Sequence, residues 1–271
     1  MHITLILTMT VISVGTLTVA ALPSVAAESD DKQKAISELK SLEDPTILLP
    51  RIWLDSEWNK FRDDSITLEE TLGGLWAWRL SADQEWAVRV KIPVTMYFAG
   101  DTDDVSNRTA LGDIKVATGT AFRLSKTLRA GSGIELRMPS GTDDTLSDNT
   151  WRLQEFGTIA WDITPWLTLS PTFEHNHSVV EQSGASPKHF LELYFPATIL
   201  LPDDWAVTLR YETKFDFQND NAQTHSAKFQ VAKRLDAMPL GLALSVEKPL
   251  ESGDEKDFQI NFLSTYYLPS R

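Results

Sequence analysis

From Leu48 onward the chain alternates apolar and polar residues in segments of about ten, and this period-two pattern recurs about a dozen times. No other feature constrains the fold as tightly. In the clearest segment, Trp205, Val207, Leu209, Tyr211, Thr213 and Phe215 fall on one face, and Ala206, Thr208, Arg210, Glu212, Lys214 and Asp216 on the other. Successive side chains of a strand point to opposite sides, so one face is apolar and the other charged. A second segment places Trp86, Val88, Val90, Ile92, Val94, Met96 and Phe98 on one face, against Arg89, Lys91 and Thr95. Pro93 falls on its polar side, where a missing ladder donor predicts a bulge or kink.

Twelve such segments are read, the first opening at Leu48 and the last closing at Leu268. Short turns such as 81–84, 125–127, 202–204 and 236–239 alternate with longer polar loops such as 99–110, 139–150, 178–188 and 251–256. An even number of amphipathic strands with short turns at one end and long loops at the other predicts an all-β fold, a transmembrane antiparallel up-and-down β-barrel of about 12 strands. Trp86, Trp166 and Trp205 follow short turns, and Trp78 and Trp161 precede them. This is the placement of an aromatic belt, where an indole can keep its ring in hydrocarbon and its N–H in the headgroups. A soluble periplasmic β protein is the alternative fold.

The first residues are a targeting segment by layout. Ile3 to Ala21 is apolar or small, small residues at Ser24-Val25-Ala26 or Val25-Ala26-Ala27 offer a peptidase site, and acidic sequence follows at once. His2 stands where Lys or Arg is usual. The expected organisation is a signal peptide over 1–26, a polar periplasmic lead-in over 27–47 and an outer-membrane barrel over 48–271. Ile36, Leu39 and Leu42 lie at helical spacing, so the lead-in can form a short helix in the periplasm or at the barrel mouth, or equally remain a frayed tail. The expected location is the bacterial outer membrane, with its lipid as a partner and the barrel-assembly machinery as a partner in biogenesis.

Several function classes are excluded or disfavoured. The chain has no cysteine, which removes thiol nucleophiles, disulfides and Cys-based metal sites. Its formal charge of −13 argues against nucleic acid. There is no P-loop, dinucleotide fingerprint or G-x-S-x-G, so no cofactor and no enzyme activity are expected.

The layout after Leu48 resembles the outer-membrane channels of the phenol-degradation MetA type. Leu111-Gly112-Asp113-Ile114, Gly119-Thr120-Ala121-Phe122-Arg123-Leu124, Glu135-Leu136-Arg137-Met138-Pro139-Ser140-Gly141 and Trp166-Leu167-Thr168-Leu169 carry the resemblance. It implies a passive route for small, often aromatic or apolar, compounds, and it brings no catalytic residues. The end of the chain departs from the usual terminal aromatic, since Pro269-Ser270-Arg271 follows Tyr266-Tyr267-Leu268.

The expected function is a passive channel for small solutes. Arg89, Lys91, Arg123, Arg137, Arg210, Glu212 and Lys214 are the expected pore-lining residues. Charges of mixed sign on the inner faces fit a selective pore lining, and equally a salt-bridged filling that holds the barrel shut. Two other readings stay open. An outer-membrane lipid hydrolase would use His175 and Ser178. A closed structural barrel would bind cations through its acidic loops: Asp101, Asp103 and Asp104; Asp143, Asp144 and Asp148; and Glu251, Asp254, Glu255 and Asp257. His175 and His177 share a strand face and could co-ligate a metal, but no third ligand is near them in sequence.

Overall fold

The computed structural model describes residues 25–99, 106–144, 146–182, 184–235, 238–251 and 256–269. One helix, α1 (Val25–Lys40), precedes fourteen strand segments. These are β1 (Arg51–Phe61), β2 (Ile66–Arg79), β3 (Gln84–Phe98), β4 (Arg108–Leu111), β5 (Lys115–Arg123), β6 (Leu128–Arg137), β7 (Thr150–Thr164), β8 (Leu167–Leu169), β9 (Thr172–Glu181), β10 (His189–Leu201), β11 (Trp205–Asp216), β12 (Ala222–Leu235), β13 (Leu240–Pro249) and β14 (Lys256–Tyr267). Both β4 and β5 pair with β3, and both β8 and β9 lie between β7 and β10, so each of these pairs is one interrupted stave. The result is a closed, twelve-stave, antiparallel up-and-down barrel, sealed where Arg51 of β1 lies opposite Tyr267 of β14. The segment expected to open at Leu48 begins at Arg51.

Proline sets both interruptions. The β3 ladder breaks opposite Pro93, where Gly112 N–H donates to the Pro93 carbonyl at 2.9 Å and the chain then steps aside through Asp113 and Ile114. This is the irregularity expected from a residue with no N–H to give. The second break falls at Ser170-Pro171, where Ser170 N–H donates to the carbonyl of another proline, Pro196, at 3.1 Å. Two hairpins close through consecutive left-handed residues, Asp203 and Asp204 (φ 56° each) and Asp220 and Asn221 (φ 50° and 57°). Asp and Asn tolerate that region better than other side chains, and two in succession match the twist of the flanking strands.

The distribution of side chains is inverted relative to a soluble protein. Ile52, Leu54, Leu72, Ile159, Leu209, Leu244 and Phe262 point outward and are exposed, whereas Asn59, Glu135, Asn176, Thr208, Gln230 and Thr265 are buried inside. Such a surface is stable against lipid and not against water. Trp78, Trp86, Trp161, Trp166 and Trp205 are exposed beside the short turns. Trp78 and Trp86 lie directly opposite one another and stack with ring centroids 5.0 Å apart. No helix of the described residues is long and apolar enough to cross a membrane.

The expected signal peptide over 1–26 lies, apart from Val25 and Ala26, outside the described residues. The lead-in over 27–47, expected in the periplasm or at the barrel mouth, carries its C-terminal half into the barrel. Glu38, Leu39, Lys40, Ser41, Asp44 and Thr46 are all buried. Leu39 packs on Ala206, Ala232 and Ala243, with Leu42, Leu200 and Leu263 around it. Alanine at those three wall positions leaves the width that a helix inside so narrow a barrel requires.

Candidate functional site

Among the described residues, most of the buried polar side chains gather in the lumen, which is built in two storeys. The storey near the short turns holds the N-terminal segment. The Glu38 carboxylate accepts from Arg234 Nε at 2.8 Å, and the Tyr267 hydroxyl donates to the Glu38 carbonyl at 2.5 Å. Lys40 Nζ donates to Asp162 at 2.7 Å, and Arg129 bridges Asp162 at 2.7 Å and Asp44 at 2.8 Å. Lys228 Nζ reaches Glu43 at 3.0 Å. Every charge the segment carries into the barrel is thus matched by a wall residue of opposite sign. A buried ion is tolerated only on that condition.

The storey near the long loops is strongly charged. Strand register aligns Lys91 opposite Lys115, Lys115 opposite Arg137, and Arg137 opposite Arg152. Four cations therefore form one row across β3, β5, β6 and β7. Acidic pairs stand on either side of that row, with Glu57 opposite Glu69 on β1 and β2, and Glu174 opposite Glu192 on β9 and β10. Directly opposed like charges destabilise a sheet, so this pattern needs water, counter-charges or function to hold it. Part of the balance is visible. Arg89 bonds Glu135 at 2.7 Å, Arg210 bonds Glu247 at 2.8 Å and approaches Glu212 at 3.5 Å, and Lys214 lies 4.1 Å from the centre of the Phe190 ring. Arg210 also lies over Tyr194, and Arg89 over Phe156, so aromatic faces share the inner wall with the charges.

Of the residues expected to line a pore, Arg89, Lys91, Arg137, Arg210, Glu212 and Lys214 lie on inward faces. Arg123 lies exposed at the short-turn rim, beside a cavity of about 520 Å³ that also touches Asp83, Glu85 and Arg129. A second cavity of about 520 Å³ opens at the long-loop mouth among Glu192, Glu212, Lys214, Ser226 and Glu247. A smaller cavity of about 60 Å³ lies at mid-height, bounded by Pro45, Ile47 and Leu48 of the inserted segment and by wall residues that include Leu75, Ala87, Ala117, Gly119 and Phe156. Lys115 and Arg152 complete the basic row, and strand parity places each of them on an inward face. Their alignment depends on register between strands, which no single segment encodes.

The loop after β6 is tied down by arginines. Asp148 sits 2.6 Å from Arg137 and 3.1 Å from Arg152. Burial would raise its carboxyl, but the two guanidinium groups reverse this and hold it below the ordinary range. Asp143 pairs with Arg108 at 3.4 Å. Two carboxylates of this acidic cluster are therefore already engaged. Asp101, Asp103, Asp104, Asp254 and Glu255 lie outside the described residues, and Glu251 is 3.4 Å from His225.

The proposed hydrolase pair does not meet. The Ser178 hydroxyl accepts from Lys188 N–H at 2.9 Å, whereas His175 contacts Glu155 at 3.0 Å and His189 at 3.1 Å. These histidines also face outward, away from the lumen.

No family model matches the chain, and no curated protein matches its sequence. Solved structures do match it. A COG4313 outer membrane channel from Pseudomonas putida F1 aligns with a TM-score of 0.71 at 13% identity, over 82% of this chain and 96% of that one. The NanC porin aligns at 0.59 and 13% identity, over 80% and 100%. The CymD monoaromatic hydrocarbon channel aligns at 0.52 and 7% identity, over 84% and 92%. Likeness at such identities establishes the fold, that of a bacterial outer-membrane β-barrel.

Proposed function

We propose that this barrel is a passive outer-membrane channel for small solutes, with Arg89, Lys91, Arg137, Arg210, Glu212 and Lys214 lining its path and Arg123 at its periplasmic rim. The observation that carries this reading is the uneven fit of the inserted segment. On the β11–β13 side the segment packs against alanines. On the β2–β7 side, where Leu75, Ala87, Ala117, Gly119 and Phe156 face it, a cavity of about 60 Å³ remains beside the segment, and cavities of about 520 Å³ lie near the two mouths. A barrel filled only to be closed would leave no such space at mid-height. Apolar and aromatic compounds are the first class to test, because Phe156, Phe190 and Tyr194 share the inner wall with the charges and a structural neighbour is a monoaromatic hydrocarbon channel. Residues 1–26 would be removed on export, which N-terminal sequencing of the membrane-extracted protein checks.

The deciding experiment is single-channel recording of the purified barrel in a planar bilayer under a salt gradient. Discrete conductance steps with a defined reversal potential are expected. A protein that inserts but stays silent to ions and to aromatic solutes would instead support a closed structural barrel, the reading favoured by the ion pairs that hold the inserted segment.

A further inference from the structure

The outer wall carries a group of side chains that a lipid-facing surface does not explain. Glu155 of β7 points outward, between Leu153 and the Gly157–Phe173 contact, on a strand face whose other side chains (Trp151, Leu153, Ile159 and Trp161) are apolar. A carboxylate there is unfavourable unless something compensates it. Directly opposite stands His175 of β9, with His177 two residues further along the same face. One ligand atom from each of Glu155, His175 and His177 lies within 4.8 Å of both others. The Glu155 carboxylate is 3.0 Å from His175 Nδ1 and 3.6 Å from His177 Nδ1. Ligands about 2.0–2.1 Å from a tetrahedral ion stand about 3.3 Å from one another, and these separations bracket that value. His177 Nδ1 is moreover buried without a hydrogen-bond partner, a cost that an ion would remove.

We infer that Glu155, His175 and His177 form a divalent transition-metal site of the Zn²⁺ class on the outer surface of the barrel, near its long-loop end. Imidazole and carboxylate ligands suit that ion. His189 of β10 supplies the support such sites use. If His175 binds through Nδ1, its Nε2–H is free to donate to His189 Nε2, 3.1 Å away, which fixes the tautomer and the ring orientation. Three protein ligands leave a fourth position for water, on the exposed side. The ion would link β7 to β9, the half-stave that follows the break at Ser170-Pro171, and so brace the wall where its ladder is interrupted.

The test uses tag-free, chelator-stripped, full-length protein in detergent micelles. It is titrated with Zn²⁺ by calorimetry and with Co²⁺ by visible absorption. One ion per barrel is expected, with the strong Co²⁺ absorption of a four-coordinate site. His177→Ala and Glu155→Gln should each weaken Zn²⁺ binding by about tenfold or more. His225→Ala, on the same face but outside the cluster, should leave it unchanged. Zn²⁺ should also raise the unfolding temperature of the wild type and not that of the variants. Absence of a stoichiometric ion, or affinity that survives a His175→Ala, His177→Ala double variant, overturns the inference. Heat-modifiable gel migration verifies folding of each variant, and His177→Gln replaces any alanine variant that fails to fold.

Discussion

In the proposed channel, selectivity would be set by single residues. Lys91 and Lys115 lie side by side and head the basic row, whereas Arg210 is neutralised by Glu247 and flanked by Glu212. Replacing Lys91 and Lys115 by Glu should move the reversal potential in a salt gradient toward cations. Arg210→Glu with Lys214→Glu should move it the same way, and an unchanged potential in both would remove these side chains from the conduction path. Asp148 belongs to the same scale. Its folded carboxyl titrates below the ordinary value, so its ion pairs stabilise the loop above about pH 4. That contribution falls away as pH drops through the ordinary carboxylate range toward the lower folded value. Protease cleavage in the 138–149 loop should therefore rise on acidification, and Asp148→Asn should show the higher cleavage already at neutral pH.

Among the elements, the N-terminal segment and the broken staves matter most. The segment is held by oppositely charged pairs rather than by a large apolar contact, and removing one member of a buried pair costs about 3–5 kcal/mol by leaving the other uncompensated. Glu43→Gln with Asp44→Asn leaves Lys228 without its carboxylate and Arg129 with Asp162 as its one remaining carboxylate partner. The expected outcome is a segment that leaves its seat and a severalfold rise in single-channel conductance, measured in planar bilayers. The helix itself was legible in the spacing of Ile36, Leu39 and Leu42, and the barrel mouth was one of the places it could occupy. Its seat was not, because the alanines that receive Leu39 come from three different strands.

On the scale of the whole molecule, an apolar exterior around a polar interior makes the closed sheet stable only in lipid or detergent. The folded barrel should migrate differently from the boiled one on a detergent gel, and brominated lipid should quench the fluorescence of the tryptophans exposed beside the short turns. Identical migration with unquenched tryptophans would contradict a lipid-facing exterior. This architecture was readable before any coordinates. Period-two alternation gives each strand an inside and an outside, turn chemistry gives it an end, and the belt tryptophans mark a water–lipid boundary, all of them properties of a single segment. What only the tertiary structure decided depends on register and closure. These bring Lys91, Lys115, Arg137 and Arg152 into one row, join Glu155 to His175 and His177 across a ladder, and place the inserted segment against walls far away in sequence. Neighbouring strands can slide in steps of two residues without altering their own patterns, so no one segment carries the information that puts these side chains side by side.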